Sequence, residues 1–368
     1  MLNPELYYAV YLVIVSIYTI SLAGKYKAFP DSRLKWNGKI SSKSALILTI
    51  IMSLFIGLRP KHSVFTDMSN YYETFKVLKA RTFEFNSDTT NKIFDNIMSY
   101  LATNGYDISL FFFLIAAIYF WGIYFASKKL FPKDTLYAVV IYLGAFSTFS
   151  YATNGIKAGA AAVLFLCALG YYRRKVVYLI LLLASVGFHH SMLMPVIACV
   201  VASFYRKPKV YLWGWLFALL IAAAHITFFQ NLLGSLSDQS GSSYLITDNI
   251  SDSIKYITGF RMDFIIYSML PIISGCYAIF RHGYRSEFYN WIFCTYLLAN
   301  ATWMVCMYAN FTNRIAYLSW FMLPVVLVYP FFDKQFVVYQ YRKLNLVAMG
   351  HLGFTIMMEV VYYGLLNL

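Results

Sequence analysis

The sequence predicts an all-α integral membrane protein, a polytopic helical bundle of about 12 transmembrane segments (10–12). Of its 368 residues 60% are hydrophobic and 20% are aromatic, whereas only 12% are charged. Soluble domains carry about 25% charged residues. Many apolar stretches also approach the length of about 20 residues that crosses a bilayer. These observations exclude a soluble globular protein, and they predict one polytopic membrane domain over residues 1–368.

Twelve apolar segments follow one another between short polar loops. The first follows Asn3, Pro4 and Glu5 rather than a basic stretch, and no clear small-residue cleavage site follows it, so we interpret it as a retained span. The sixth and seventh are short, so the region near 176–205 predicts a broken or re-entrant hairpin, which must be buried in protein or line a wet cavity. The predicted spans lie near 6–23, 44–58, 108–127, 134–152, 157–172, 176–187, 190–205, 210–229, 263–280, 288–307, 315–332 and 346–366.

Lysine and arginine divide the loops into two sets. One set of alternate loops holds 20 of the 30 basic residues and four acids, whereas the other holds 10 basic and 11 acidic residues. Because cytoplasmic loops are enriched in lysine and arginine, the first set should face the cytoplasm. The termini and the two longest polar segments, 59–107 and 230–262, then lie on the opposite side, called here the outer side. The basic loops are short and scattered, so the net charge of +14 does not indicate nucleic-acid binding.

Cofactor and metal motifs are missing from the sequence. All five cysteines fall inside apolar spans without a Cys-x-x-Cys pair, which is typical of small hydrophobic residues in helix packing. There is no P-loop, no dinucleotide-binding fingerprint and no zinc-ligand spacing. The sequence therefore predicts neither a metal site nor a cofactor.

The first outer segment combines a cation, an acid and paired aromatic residues. Arg59 stands where the second span ends, and Asp67, Tyr71 and Tyr72 follow it. A guanidinium can bind a phosphate through two parallel hydrogen bonds. An interfacial arginine beside an aromatic belt would give the same pattern. Further on, apolar residues at helical spacing predict a helix near 91–101.

Two more polar clusters stand at span ends on the outer side. Lys157 precedes a run of small residues, which favours a cation facing a cavity or, equally, a packing face with an interfacial lysine. His189 and His190 follow a short apolar run, and an imidazole can accept a proton from an attacking hydroxyl. A histidine bonded to the backbone is the structural alternative. A metal site is disfavoured because no third ligand is evident by spacing.

Two further arginines end outer loops. Arg261 precedes Asp263 at the start of one span, and Arg314 opens another. Each alone would read as a membrane anchor. Together the outer cations predict a cradle for an anion, with five unrelated anchors as the alternative; the set is Arg59, Lys157, Arg261, Arg314 and Lys255.

The order of these clusters resembles the bacterial EpsG-like exopolysaccharide family, which is similar to the Wzy-type repeat-unit polymerases of O-antigen and capsule synthesis. The resemblance covers roughly residues 55–325. It rests on an Arg followed by Asp-x-x-x-Tyr-Tyr, a basic residue before an Ala/Gly-rich helix, Phe-His-His-Ser, and Arg-Ile-Ala-Tyr before a late span. The family's residues fall on Arg59, Asp67, His189 and Arg314, and its mid-chain arginine falls on Lys157, a departure that weakens a bidentate phosphate contact there.

The resemblance implies a glycosyltransferase of the bacterial inner membrane that acts on the periplasmic side, and a GT-C-like architecture would suit it. The substrate would be an oligosaccharide repeat unit on undecaprenyl pyrophosphate. A flippase and a chain-length regulator are the protein partners to expect beside the lipid bilayer.

The substrate that the resemblance implies suggests a mechanism. The sugar donor is already activated, because its leaving group is an anionic pyrophosphate. Arg59, Lys157, Arg261 and Arg314 would stabilise the pyrophosphate without a metal ion. His189 is the first choice of base and Asp67 the second, and a single displacement would invert the anomeric centre. Sugar faces could pack on Tyr71 and Tyr72, with His190 also contacting substrate.

Three other functions are compatible with the same sequence. An O-antigen ligase uses the same donor and differs only in its acceptor. A flippase for the same lipid should have charges accessible from both sides of the membrane. A membrane sugar O-acyltransferase should bring its reactive groups to the inner face.

Overall fold

The computed structural model describes residues 2–27, 38–235 and 259–362, and these residues form helices without any strand. Lys255 and most of the predicted outer segment 230–262 lie outside the described residues. The helices are α1 (Tyr7–Lys27), α2 (Gly38–Gly57), α3 (Met68–Leu78), α4 (Lys92–Thr103), α5 (Ile108–Leu130), α6 (Thr135–Leu143), α7 (Phe146–Thr153), α8 (Ile156–Gly170), α9 (Lys175–Phe188), α10 (Leu193–Phe204), α11 (Pro208–Ala223), α12 (Phe228–Ser235), α13 (Met262–Cys276), α14 (Glu287–Val305), α15 (Thr312–Trp320), α16 (Leu323–Asp333) and α17 (Gln340–Ile356).

Four helical segments among the described residues are long and apolar enough to cross a membrane: Pro4–Lys25, Ile108–Leu130, Met262–Arg281 and Thr312–Asp333. Shorter apolar helices of 10–17 residues accompany them, among them α8, α9 and α11. The helical class predicted from the sequence is therefore confirmed. Twelve spans and a GT-C-like architecture are not confirmed.

The predicted span 134–152 is not one straight helix. It consists of α6 and α7, which meet at a bend of 77°. The bend frees backbone carbonyl groups inside a buried region, and hydroxyl groups bond to them: Tyr11 Oη donates to Leu143 O at 2.6 Å and Thr355 Oγ1 to Gly144 O at 2.8 Å. Helix breaks at membrane depth are tolerated when such partners exist.

The predicted interruption in 176–205 is present as a break in the helix. The α9 helix ends at Phe188, His189 is extended with φ −150° and ψ 113°, and a 3₁₀ turn covers His190–Met192 before α10 begins. The predicted span 210–229 is also interrupted, because α11 ends at Ala223. His225, expected inside that span, is instead exposed, has φ +55° and stacks on Tyr308 with ring centroids 3.9 Å apart.

The described residues group into two compact units. The first unit contains the chain up to Leu193 and again from Phe331, and the second contains Met194–Pro330. In the first unit α5 lies against α2 and α8, α8 against α9, and α1 against α17. The α5–α8 approach is close, since a Cβ on Gly122 would come within 2.5 Å of Val163. Two amphipathic helices, α3 and α4, pack on each other beside this bundle.

The second unit is organised around a buried polar network. The Asn300 amide donates to Ser268 Oγ at 3.0 Å and Ser319 Oγ at 2.9 Å, and its oxygen accepts from Trp215 Nε1 at 2.8 Å. Trp320 Nε1 also donates to Ser268 Oγ. Every bond joins different helices, so the network sets the packing of α11, α13, α14 and α15. Buried polar groups that are satisfied in this way specify one arrangement of the helices.

Candidate functional site

Arg59 is a buried cation at the end of α2. Its side chain is only 5% exposed. The guanidinium donates from Nη1 to Ile56 O at 2.9 Å and from Nη2 to Thr153 O at 3.1 Å, the latter at the end of α7. It lies 5.3 Å from the Phe65 ring centroid and 5.2 Å from that of Phe112. No described carboxylate pairs with it, so none of the described residues neutralises its positive charge.

The electrostatics of Arg59 follow from this burial. Removal of water disfavours the charged form and lowers the pKa of the guanidinium to about 10. At neutral pH the group therefore stays protonated. The Arg59 Nε is a buried polar atom that lacks a hydrogen-bond partner in the described structure. The same is true of Oδ1 of Asn154, the residue that follows Thr153. Such atoms are rare in folded proteins, and strain, a functional role or a bound water or ion commonly accounts for them.

Lys157 lies in the first turn of α8, three residues after Asn154. Its Nζ is 5.6 Å from the Phe94 ring centroid. The N-terminus of a helix carries partial positive charge from its unpaired N–H groups, so the ammonium and the start of α8 add to the same positive potential. No ion pair to Lys157 occurs in the described part of the chain.

Aromatic rings connect these two cations. Phe112, which contacts Arg59, has its ring centroid 6.5 Å from that of Tyr71, and Tyr71 in turn is 5.7 Å from Phe94, which contacts Lys157. Arg59, Tyr71 and Lys157 thus belong to one cluster. The segment that follows α2 and the helices α3, α4, α5 and α8 contribute to it, and we call it the aromatic–cation cluster.

His189 is attached to the first turn of α4, the helix that carries Phe94. Its Nδ1 is 3.3 Å from Asn91 Oδ1, and the same oxygen accepts a hydrogen bond from the His190 backbone N–H at 3.1 Å. Asn91 directly precedes α4, and Phe94 lies in the first turn of that helix. The His189 imidazole is half-buried, whereas His190 is exposed. The structure therefore brings His189 and Lys157 to the same turn of α4.

The other predicted residues of this segment lie at its margin. Asp67 is half-buried and directly precedes α3, where its carbonyl oxygen accepts from the Tyr71 N–H. Tyr72 is exposed and lies under the ammonium of Lys61, which is 5.3 Å from the ring centroid. Lys61 also forms an exposed ion pair with Asp107 at 3.6 Å. Hydrogen bonds from Ser109 and the nearby Lys61 ammonium lower the pKa of Asp107.

The two predicted arginines of the second unit differ from Arg59. Arg261 is buried, but its guanidinium forms a bidentate ion pair with Asp263. Nε donates to Oδ1 at 2.9 Å and Nη2 donates to Oδ2 at 2.5 Å. Its guanidinium also lies 3.6 Å from the Phe264 ring centroid. Arg261 is thus a neutralised cation in this structure. Arg314 is exposed, with its guanidinium 4.9 Å from the Phe311 ring centroid.

Metal-binding geometry is not found among the described residues, where no three His, Cys, Asp or Glu side chains group together. Asn91 is the residue that the sequence did not single out for the site. Its place before an amphipathic helix is typical of an ordinary N-cap. The only signal in the sequence was its position at the start of the helix whose apolar face the cluster uses.

Comparison with known families identifies the chain. The model of the EpsG family matches residues 44–364, which is most of the sequence and includes every predicted site residue. The chain belongs to the EpsG family. No curated protein and no solved structure matches it. Membership of the EpsG family, together with the apolar helices, indicates a membrane-embedded protein with a polysaccharide polymerase-type role.

Proposed function

We propose that this protein joins oligosaccharide repeat units carried on undecaprenyl pyrophosphate, at the periplasmic face of the bacterial inner membrane, in the synthesis of an exopolysaccharide, capsule or O-antigen. The observation that carries the proposal is Arg59, a buried guanidinium without a carboxylate partner in the described chain. A buried, unpaired charge is costly to a fold. An anionic substrate group supplies the missing counter-charge.

The reaction is a single displacement at an activated sugar. The acceptor hydroxyl of a new repeat unit attacks the anomeric carbon of the growing chain, and a glycosidic C–O bond forms as the C–O bond to pyrophosphate breaks. The bonding electron pair leaves with the pyrophosphate oxygen. The hydroxyl proton passes to His189, and the anomeric centre inverts. Arg59 and Lys157 stabilise the charge that develops on the leaving group.

The geometry of the first unit supports these roles. The two cations share the aromatic–cation cluster, and His189 is attached to the turn of α4 that also carries Phe94. Tyr71 lies between Phe112 and Phe94 in this cluster, where an aromatic ring suits the apolar face of a sugar. Asp67 beside it is the second candidate for the base. For Arg261, Arg314, His190 and Tyr72 a role in substrate binding stays a prediction.

The test is chain extension by the purified protein in liposomes. Undecaprenyl-pyrophosphate-linked repeat units are supplied, and products are separated by length. The expected product is a ladder of chains on the lipid carrier, formed equally well with EDTA. Arg59→Ala should lower the rate on the order of 10²-fold or more, as loss of a transition-state donor does. Lys61→Ala is the matched control, because it removes a nearby cation that is exposed and already paired.

Three outcomes would overturn the proposal. A folded Arg59→Ala protein that extends chains at the normal rate would remove the role of the buried guanidinium. Transfer of preformed chains to an acceptor of another kind, without a ladder, would indicate a ligase. Passage of the lipid-linked unit across the liposome bilayer without any new glycosidic bond would indicate a flippase.

A further inference from the structure

Asn91 occupies the N-cap position of α4 without capping the helix. An asparagine at this position ordinarily accepts a hydrogen bond from a backbone N–H in the first turn of its own helix. The Asn91 side chain makes no such bond. Its oxygen instead accepts from the His190 N–H at 3.1 Å and lies 3.3 Å from His189 Nδ1. The Asn91 side chain therefore binds the residues that follow α9 and does not cap the start of α4.

The backbone bond fixes which way the Asn91 amide points. A backbone N–H can only donate, so the amide atom opposite His190 N must be the oxygen. The same oxygen faces His189 Nδ1, and an amide oxygen can only accept. In a neutral imidazole one ring nitrogen carries the proton and the other accepts. Nδ1 must then carry the proton, and Nε2 is the unprotonated nitrogen.

We propose that Asn91 is a positioning residue that holds neutral His189 with its proton on Nδ1, so that Nε2 can accept a proton from the substrate hydroxyl. The inference rests on the proposed function for the identity of that hydroxyl. A partner on one ring nitrogen that sets the tautomer and orientation of the other is a general device of histidine chemistry. Because the partner is a neutral amide, it orients the ring without adding the charge that would favour the protonated form.

Other titratable groups lie on the elements that pack against His189. The Asp95 carboxylate bonds to Thr89, and the Lys157 ammonium lies over Phe94. Asn96 holds the loop before α4 in place by bonding to Asn86 and to Lys92 O. The titratable groups on α4, α8, α9 and the 3₁₀ turn are Lys92, Asp95, Tyr100, Lys157, Cys167, Lys175, Tyr178 and His190.

The tautomer can be measured without turnover. The full-length protein is labelled with ¹⁵N-histidine, and the His189 signals are assigned by their loss in His189→Gln. At neutral pH we expect a pyridine-type nitrogen signal from Nε2 and a protonated signal from Nδ1. Asn91→Ala should shift the population toward the opposite tautomer. An unprotonated Nδ1 in the unaltered protein would overturn the proposal, even if the protein extends chains.

The pH dependence of chain extension gives a second test. Asn91→Asp keeps an oxygen acceptor but adds a negative charge, which favours the protonated imidazole. The acid limb of the pH–rate profile should therefore move up by about one pH unit or more. Asn91→Ala should lower kcat roughly 10- to 100-fold, as loss of a supporting partner does. Asn104→Asp is the matched control, since it adds the same charge at the exposed far end of α4.

The two tests separate this inference from the proposed function. If Asn91→Asp and Asn104→Asp both leave the acid limb where it is in the unaltered protein, the positioning role is wrong. If the tautomer is as expected and moves in Asn91→Ala, but no chains are extended from lipid-linked units, the proposed reaction is wrong and the role of Asn91 stands.

Discussion

At the scale of single residues, Arg59 is a buried cation whose desolvation is costly to the fold. Burial disfavours the charged form and lowers its folded-state pKa from the ordinary arginine value to about 10. The fold therefore bears a cost at every pH below about 10, and this cost is relieved only as pH rises from about 10 towards the higher pKa of the unfolded state. Two backbone carbonyls and two rings offset part of it. A bound anion would offset the rest.

Asp107 provides a prediction at the same scale. It precedes α5 and caps the helix, with Oδ1 accepting from the Ser109 N–H at 2.8 Å. Asp107→Ala should lower the free energy of unfolding by about 1 kcal/mol at neutral pH, the usual cost of a lost cap. Because the folded-state pKa is lowered, this stability is present above the unfolded-state value of 3.8 and is lost as pH falls through the folded-state value.

Thermal unfolding in detergent, followed from pH 7 to pH 3, measures this difference. The difference in unfolding temperature between the unaltered protein and Asp107→Ala should become smaller as the solution becomes acidic. Asp107→Asn is the control, since an asparagine caps nearly as well and carries no charge. A difference in unfolding temperature that stays constant over this pH range would contradict a role for the ionised carboxylate.

In the sequence, the charged residues of the candidate site were easier to single out than the side chains that contact them. Arg59, Lys157 and His189 were predicted because a charged or titratable side chain near the membrane costs free energy. Such a side chain therefore indicates a candidate functional site. Arg261 and Asp263 are two residues apart in the sequence, yet only the structure shows that two hydrogen bonds join their side chains. Asn91 was missed because its partner is 98 residues away in the chain.

At the scale of secondary-structure elements, the break between α6 and α7 shows a similar limit. The residues from Thr135 to Thr153 are apolar enough to predict one continuous span. The 77° bend is stabilised by hydroxyl groups of Tyr11 and Thr355, which lie 132 and 211 residues from their acceptors. Local periodicity carries no information about such distant partners. By contrast, the amphipathic pattern of α4 is local, and that helix was predicted correctly.

The close packing of α7 on α8 gives an element-scale prediction. A Cβ added to Gly159 would come within 2.6 Å of the Tyr151 backbone oxygen, which cannot rotate away. Gly159→Ala should therefore push the start of α8 from α7 and move Lys157 relative to Arg59. We expect a loss of thermal stability corresponding to about 1–3 kcal/mol and a lower rate of chain extension.

Gly214→Ala is the matched control for this change. Gly214 also lies inside a helix, but a Cβ there meets no atom within 4 Å. Since alanine favours helix over glycine, the control should be as stable as the unaltered protein or slightly more so. Equal behaviour of the two variants would mean that the α7–α8 contact relaxes without cost.

At the scale of the whole molecule, the contacts within the first unit agree with the predicted alternation of the spans. Predicted outer ends meet one another, as in the bond from Arg59 to Thr153 O and the contact between His189 and Asn91. Predicted inner ends also meet, since Asn345 bonds to Ala23 O at 2.9 Å and Lys129 lies over Tyr171. These contacts support the alternation of the predicted spans.

The direction of the chain across the membrane is the prediction on which the substrate depends. The lysine and arginine count predicts that the end with Arg59 and His189 lies outside the cytoplasm. Single cysteines are introduced at exposed positions, after the five native cysteines are replaced, and a membrane-impermeant maleimide is added to cells with a permeable outer envelope. Glu73→Cys and Ser191→Cys should react at once. Lys133→Cys and Arg173→Cys should react only after the inner membrane is opened.

The labelling pattern decides between two classes of donor. A lipid-linked oligosaccharide that has been flipped is available only from the periplasmic side, so the expected pattern gives the aromatic–cation cluster access to it. The reverse pattern would place Arg59 and His189 in the cytoplasm, where soluble nucleotide sugars or acyl donors are present. The proposed polymerase reaction would then be wrong, whereas Arg59 would still require an anion, because its burial does not depend on orientation.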